Sequence, residues 1–140
     1  MRLLGLDVGE KTIGVAVSDP LGLTAQGVEV IKRQGRERDL ERLQELVQTF
    51  GIGTIVMGLP KNMDGSLGKQ AEKVKILAAL VQERLDLPVV LWDERLTTVA
   101  AERALLEADL SRGRRRKVID KMAAVLILQG YLDRQRLQNS

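Results

Sequence analysis

The chain has 140 residues, of which 44% are hydrophobic and 29% charged, and its formal net charge is +3 at pH 7. It contains no Cys and no His, which excludes a disulfide, a Cys nucleophile, a Ser-His-Asp triad and a Cys/His zinc site. Catalysis would therefore need carboxylates, Lys, hydroxyl groups or an oxygen-bound metal such as Mg²⁺. Without Cys, a membrane-spanning run or a signal-peptide pattern, we expect a cytoplasmic protein.

The first half of the chain predicts three strands and a helix. Arg2–Val8 is rich in Leu and Val, and the turn Gly9–Lys11 joins it to an alternating strand over Thr12–Val17. A third strand is predicted over Leu23–Ile31. Apolar residues then recur at helical spacing, which predicts a helix over Arg36–Phe50.

The second half predicts two strands and three helices in alternation. The loop Gly58–Gly68 follows the first of these strands, and Ser66 is placed to cap the next helix. Residues from about 134 onward are polar, and we expect them to fray. The predicted elements are a strand over Thr54–Met57, a helix ending near Leu85, a strand over Pro88–Trp92, a helix from Thr97 or Thr98 to Ala108, and a helix over Val118–Leu132.

This order of elements predicts a single α/β domain over residues 1–140. The opening hairpin makes the first part of the sheet antiparallel, and the later alternation of strands and helices adds parallel strands. The expected architecture is a mixed sheet with helices on its faces.

Four carboxylates stand where they could hold a metal ion. Asp7 lies in an apolar strand, where a buried charge is costly unless it is paired or metal-bound, although an Asp can also simply form a turn there. Asp93 and Glu94 directly follow a strand, the place where open α/β sheets bind ligands, but Asp93 could instead start a turn. Asp120 is expected in the first turn of the last helix, where the helix dipole alone favours an acid.

Basic and polar side chains are candidates for phosphate contacts. The tract Arg112–Lys117 can neutralise backbone phosphates, or it can form a solvated, mobile loop. The loop Gly58–Gly68 ends at a helix N-terminus, which offers free N–H groups to phosphate, or it is an ordinary connector. The candidate nucleic-acid-binding residues are Asn62, Ser66, Arg95, Arg112, Arg114, Arg115, Arg116 and Lys117.

Several motifs in sequence order resemble the YqgF/RuvX family, and they span almost the whole chain. They are LGLDVG from Leu4 with IGVAVSD from Ile13, GLP from Gly58 with DGS from Asp64, DERLTT from Asp93, and DKMAAVLIL from Asp120. The resemblance implies a ribonuclease-H-like fold with a five-stranded mixed sheet. It also implies a nuclease that matures the 5′ end of pre-16S rRNA, or alternatively a Holliday junction resolvase.

By motif position, the resemblance implies Asp7, Glu94 and Asp120 as the catalytic acids that bind one or two Mg²⁺ or Mn²⁺ ions. Asp93 could share or replace the role of Glu94. The implied partners are structured RNA such as pre-rRNA or branched DNA, and a homodimer is possible. One departure is Lys11-Thr12, because an Arg is expected in this turn.

Two functions of other classes compete with the nuclease. A noncatalytic RNA-binding ribosome-assembly factor would keep the basic tract but would need no converging acids. A sugar-kinase-like or actin-like ATPase also opens with an Asp-x-Gly hairpin. Those proteins use two such domains, however, and 140 residues supply only one.

Reversing the charges of Arg114, Arg115 and Arg116 should weaken nucleic-acid binding. Each phosphate contact that is lost should flatten the slope of log affinity against log salt by about 0.7 to 0.9. Binding titrations over a series of salt concentrations measure both effects. An unchanged affinity and slope would remove the basic tract from the interface.

Overall fold

The computed structural model describes residues 1–96 and 112–138, with side chains described for 1–96 and 121–138. The strands are β1 (Arg2–Val8), β2 (Thr12–Ser18), β3 (Ala25–Lys32), β4 (Ile52–Leu59) and β5 (Val89–Asp93). The helices are α1 (Arg36–Phe50), α2 (Lys69–Leu85) and α3 (Arg112–Gln138), and a 3₁₀ turn covers Glu94–Leu96. Within the described residues, no helix is both long and apolar enough to cross a membrane.

The five strands form one mixed sheet in the order β3-β2-β1-β4-β5. β1 pairs with β2 and β2 with β3 in antiparallel fashion, whereas β1, β4 and β5 are parallel. Leu6 lies opposite Met57, and Met57 lies opposite Leu91, so the parallel strands are in close register. This sheet confirms the predicted fold class.

Alternation along the strands divides the core between the two faces of the sheet. Leu4, Leu6 and Met57 belong to one hydrophobic cluster, which includes the buried apolar residues of α1 and α2. Val56 belongs to the other cluster, which consists largely of residues from α3, such as Ile127. Helices therefore cover both faces, as predicted.

α3 runs antiparallel to β1 across its face of the sheet. Gln129 accepts a hydrogen bond from the backbone N–H of Ala25 at 2.9 Å, whereas the side chain of Lys121 covers Gly27. Gly27 lies in the same row as Gly5, and Ala25 lies in a row nearer the start of β1. The N-terminal half of α3 therefore extends toward the carboxyl ends of β1, β4 and β5.

The predicted bounds of α1 and β1 are confirmed, and the other strands differ by at most two residues at each end. The helix predicted to end at Ala108 lies outside the described residues. The prediction that Ser66 caps α2 is wrong, because the helix begins at Lys69 with Gly68 at the cap position. Ser66 instead bonds to Asp64, through both its backbone N–H and its hydroxyl.

The start predicted for the last helix is also wrong. α3 begins at Arg112, so the basic tract is helical and not a loop, and no acid lies in its first turn. Asp120 is therefore well inside the helix, and the helix dipole does not explain it. Arg and Lys are good helix formers, which lets the helix extend beyond its apolar stripe. At its other end α3 continues to Gln138, past the predicted end at Leu132.

Gly5→Ala should destabilise the protein by about 1–3 kcal/mol, because an added methyl group would overpack the contact between β1 and α3. Its Cβ would lie 2.6 Å from Leu128 Cβ and 3.1 Å from the Ala124 carbonyl oxygen. Gly53→Ala is the matched control, because the three atoms nearest to its Cβ would all belong to Met1, which is 91% exposed and can move. Urea unfolding measures both variants, and equal losses would contradict the close approach at Gly5.

Candidate active site

The candidate site lies where the parallel strands β1, β4 and β5 end at one edge of the sheet. Asp7 is the last residue but one of β1, and Glu94 follows β5 directly. Between them, β4 contributes Gly58, which lies opposite Trp92. The tertiary structure therefore brings two of the predicted acids to the same edge of the sheet, at the ends of two strands that are separated by β4.

Asp7 is a buried carboxylate on the α3 side of the sheet. It is 9% exposed, and its backbone lies opposite Gly14 of β2. Strand alternation puts Asp7 on the same face as Gly5, which lies against Leu128 and Ala124 of α3. The acid thus lies on the α3 side of the sheet, at the carboxyl end of β1.

Glu94 reaches the same side of the sheet across Gly58. A Cβ built on Gly58 would lie 3.3 Å from Glu94 Cγ and 2.5 Å from Ile127 Cδ1. Any larger residue at position 58 would displace one of these side chains. The absence of a side chain at Gly58 therefore leaves the space in which Glu94 lies beside α3.

The third predicted acid, Asp120, is in α3, but its side chain lies outside the described residues. The same holds for the side chains of the basic tract Arg112–Lys117. Among residues 1–96 and 121–138, no three acidic side chains form a group that could hold a metal ion. A complete three-acid site would thus require a ligand from outside that part of the chain.

Asp93 has different surroundings from its neighbour Glu94. Arg95 donates to both carboxylate oxygens of Asp93, with its Nη2 2.8 Å from Oδ2 and its Nε 3.1 Å from either oxygen. Lys61 Nζ lies 3.9 Å from the same carboxylate. The hydrogen bonds from Arg95 are the main reason that the pKa of Asp93 lies below its ordinary value. Asp93 is therefore already compensated by cations.

The loop after β4 packs against Arg95 and joins three of the predicted phosphate-contact residues. Asn62 donates from its side chain to the Ser66 hydroxyl at 3.0 Å, and its backbone N–H donates to the Ser66 carbonyl. Gly65 has a φ of 88°, and a Cβ built on it would lie 3.4 Å from Arg95 Nη1. The structure thus brings together Asn62, Ser66 and Arg95. Lys61 belongs to the same group, and nothing in the sequence pattern singled it out.

The departure at Lys11-Thr12 lies beside an arginine from another part of the chain. Arg33 Nη1 donates to the Gly9 carbonyl at 2.9 Å, and its backbone N–H donates to the Lys11 carbonyl at 2.9 Å. The turn after β1 therefore has an Arg contact, although it has no Arg of its own. Sequence reasoning missed Arg33 because the contact depends on the β2–β3 pairing.

Comparison with known proteins now identifies the family. A family model described as "RuvX: Holliday junction resolvase" matches residues 1–134. The chain belongs to the RuvX family. Membership of this family confirms the prediction that the chain is a nuclease.

Close relatives of this RuvX-family chain share more than half of its residues. A Clostridium kluyveri protein with the name "Putative pre-16S rRNA nuclease" is 60% identical over 134 residues, 96% of this chain and 98% of its own length. A protein of the same name from Desulforamulus reducens is 59% identical over 133 residues, 95% of this chain and 97% of its own length.

Solved structures support the fold of the RuvX-family chain. Thermus thermophilus RuvC in complex with a Holliday junction substrate aligns with a TM-score of 0.64 at 14% identity, covering 100% of this chain and 98% of that one. The fowlpox virus Holliday junction resolvase aligns with a TM-score of 0.50 at 14% identity over 99% of both chains. At this identity the likeness concerns the fold, and it confirms the ribonuclease-H-like prediction.

Asp93→Asn should destabilise the protein at neutral pH and much less in acid. The pKa of Asp93 is lower in the folded chain, so its charged form stabilises the fold above the ordinary carboxyl pKa of about 3.9. That contribution is lost as the pH falls through the lowered pKa. Urea unfolding from about pH 7 to about pH 3 measures the difference. In the Arg95→Gln background the difference should shrink at every pH, and a difference that persists there would contradict the ion pair.

Proposed function

We propose that this chain is a divalent-metal-dependent nuclease that processes the 5′ end of pre-16S rRNA. Its metal ligands and catalytic acids are Asp7, Glu94 and Asp120, which hold one or two Mg²⁺ or Mn²⁺ ions. The observation that carries the proposal is that Asp7 and Glu94 lie on the same side of the sheet, at the ends of strands on either side of Gly58.

Helix geometry supports Asp120 as the third acid. Asp120 precedes Ala124 by one turn, and Ala124 lies over Gly5. One turn of α3 advances about 5.4 Å, and the two residues from Gly5 to Asp7 advance about 6.6 Å in the same direction. On this argument the backbone of Asp120 is level with Asp7.

The donors at this edge have the chemistry that Mg²⁺ and Mn²⁺ favour. Asp7 and Glu94 supply carboxylate oxygens, and a carboxylate as buried as Asp7 binds a cation at a lower desolvation cost than a fully hydrated one. When bound, such an ion activates water without any need for His and neutralises charge on the leaving oxygen.

Asp93 has a separate role in this proposal. Because Arg95 and Lys61 already neutralise its carboxylate, Asp93 orients these two cations, and Glu94 is the metal ligand. Arg95 is 37% exposed at its side chain and lies against the loop that contains Asn62 and Ser66. These residues form one wall of the substrate path, along which they contact phosphates.

The basic tract extends the proposed substrate path. Arg112, Arg114, Arg115, Arg116 and Lys117 occupy the first turns of α3, the end that points toward the acids. A run of cations of this kind can neutralise phosphates of a nucleic acid. Contacts of this kind position the backbone, so substrate choice would depend on shape and strand state.

A Holliday junction resolvase is the second candidate, because the family description carries that activity. Resolving a four-way junction needs two symmetric cuts, so this candidate requires a homodimer with two sites. A pre-rRNA nuclease can act as a single copy.

A cytoplasmic location follows from the rRNA substrate, and the absence of Cys from all 140 residues is compatible with it.

Asp7→Asn and Glu94→Gln should each lower metal-dependent cleavage by at least about a hundredfold, because each removes a charged ligand worth several kcal/mol to the reaction. The assay uses purified protein with Mg²⁺ or Mn²⁺ on a pre-16S rRNA fragment and on a four-way DNA junction. Glu10→Gln is the matched control, since Glu10 is an acid three residues after Asp7, in the turn that follows β1, and its side chain is 74% exposed. Its rate should stay within a factor of about two.

The outcomes separate the candidates. Cleavage of the RNA alone supports the proposed function, and paired cuts in the junction by a dimer support the resolvase. Tight RNA binding without any metal-dependent cleavage would favour a noncatalytic assembly factor. Full activity of Asp7→Asn would remove Asp7 from the site and end the proposal in its present form.

A further inference from the structure

We propose that Arg33 and Gln70 are positioning residues that fix the turn directly after Asp7 and thereby set the metal affinity of the site. The two side chains are called the turn clamp below. The inference rests on the proposed function, because it takes Asp7 as a metal ligand. Neither residue belongs to the predicted ligands or to the predicted phosphate contacts.

The turn clamp bonds two successive carbonyl groups that follow Asp7. Gln70 Nε2 donates to the Val8 carbonyl at 2.9 Å, and Arg33 Nη1 donates to the Gly9 carbonyl at 2.9 Å. One donor comes from the first turn of α2 and the other from the segment between β3 and α1. Two distant parts of the chain thus converge on the same two peptide groups.

A buried carboxylate holds Arg33 in place. Asp39 is 2% exposed, and its Oδ2 accepts from Arg33 Nε at 3.0 Å. Its other oxygen accepts from the backbone N–H of Gln34 at 3.1 Å. The Asp39 carboxylate is buried and bonded at both oxygens, whereas the Arg33 side chain is 27% exposed, and this charge-assisted bond orients the guanidinium so that its Nη1 reaches Gly9.

Val8 is 7% exposed and packs in the cluster that includes α1 and α2, whereas the turn residues after it, Gly9–Lys11, add no apolar side chain to that cluster. A cavity of about 520 Å³ lies beside the turn, with Gly9, Arg33, Gln70 and Lys73 among its lining residues. The nearby ion pair between Lys73 and Glu10 is 3.5 Å long, and its side chains are 63% and 74% exposed, so it adds little. Beyond Val8 the turn is therefore held by hydrogen bonds, those of the clamp together with two backbone bonds, from Gly9 N–H to the Thr12 carbonyl and from Arg33 N–H to the Lys11 carbonyl.

Position matters more than stability for a metal ligand. Strand pairing holds the backbone of Asp7 opposite Gly14, but β1 ends one residue later. Rotation of the peptide groups after Asp7 would tilt its carboxylate, and a misplaced ligand loses metal affinity even when the fold is intact. The clamp should therefore affect metal binding before it affects folding.

The test compares Arg33→Lys and Gln70→Met with Arg42→Gln. The control removes another ion pair between α1 and the β3 region, in which Arg42 Nε lies 3.0 Å from Glu29, without touching the turn. Mn²⁺ titration by calorimetry should show dissociation constants raised about three- to tenfold in each clamp variant. Amide hydrogen exchange at Gly9, whose N–H bonds to the Thr12 carbonyl at 2.8 Å, should accelerate in the same two variants.

Kinetics provide a second readout. The clamp variants should lower kcat at limiting metal and recover toward the parent rate at high Mn²⁺, while KM for RNA stays within about twofold. Arg42→Gln should leave metal affinity, Gly9 exchange and kcat unchanged. If Arg33→Lys does not fold, Gln70→Met decides alone, because it removes a single donor from a partly exposed side chain.

Asp7→Asn distinguishes a failure of the clamp from a failure of the proposed function. If it abolishes Mn²⁺ binding while both clamp variants behave like Arg42→Gln, the clamp is overturned and the proposed function stands. If Asp7→Asn leaves Mn²⁺ affinity unchanged, the proposed function fails at its ligand and the metal role of the clamp fails with it. Weakened Mn²⁺ binding in both clamp variants, with faster exchange at Gly9, supports the clamp.

Discussion

Close contact between α3 and the sheet depends on the missing side chains of Gly5 and Gly58. A Cβ at either position would lie within 2.6 Å of an α3 side-chain atom, which no real packing tolerates. Because these contacts hold the helix against β1 and β4, they also determine which residues of α3 can approach the carboxyl ends of those strands. The candidate site therefore depends on packing as much as on its acids.

Strand alternation gives adjacent acids different surroundings. Trp92 packs in the cluster on the α3 side, so Asp93 starts from the opposite face and meets Arg95 and Lys61. Glu94, in the turn that follows, returns to the α3 side beside Gly58. One carboxylate is thus neutralised by side chains, whereas the other lies on the same side of the sheet as Asp7, and this division supports distinct roles for the two.

Much of the fold could be predicted from the sequence, because hydrophobic periodicity reports which face of a strand or helix is buried. It predicted β1 and α1 correctly and the remaining strands to within two residues. The predictions failed at Ser66, which was expected to cap α2, and at the start of α3, which was expected at Val118. Asp64 binds the hydroxyl that was expected to cap α2, and basic residues extend α3 without apolar periodicity.

The sequence by itself determined the available chemistry, because a chain without Cys or His must use oxygen ligands, and motif order indicated the family. Only the tertiary structure decided that Asp7 and Glu94 share one side of the sheet and that Asp93 is held by Arg95. It alone also revealed that Arg33 and Gln70 bond the turn after Asp7. Such contacts join backbone groups to residues far away in the chain, and backbone acceptors leave no pattern in a sequence.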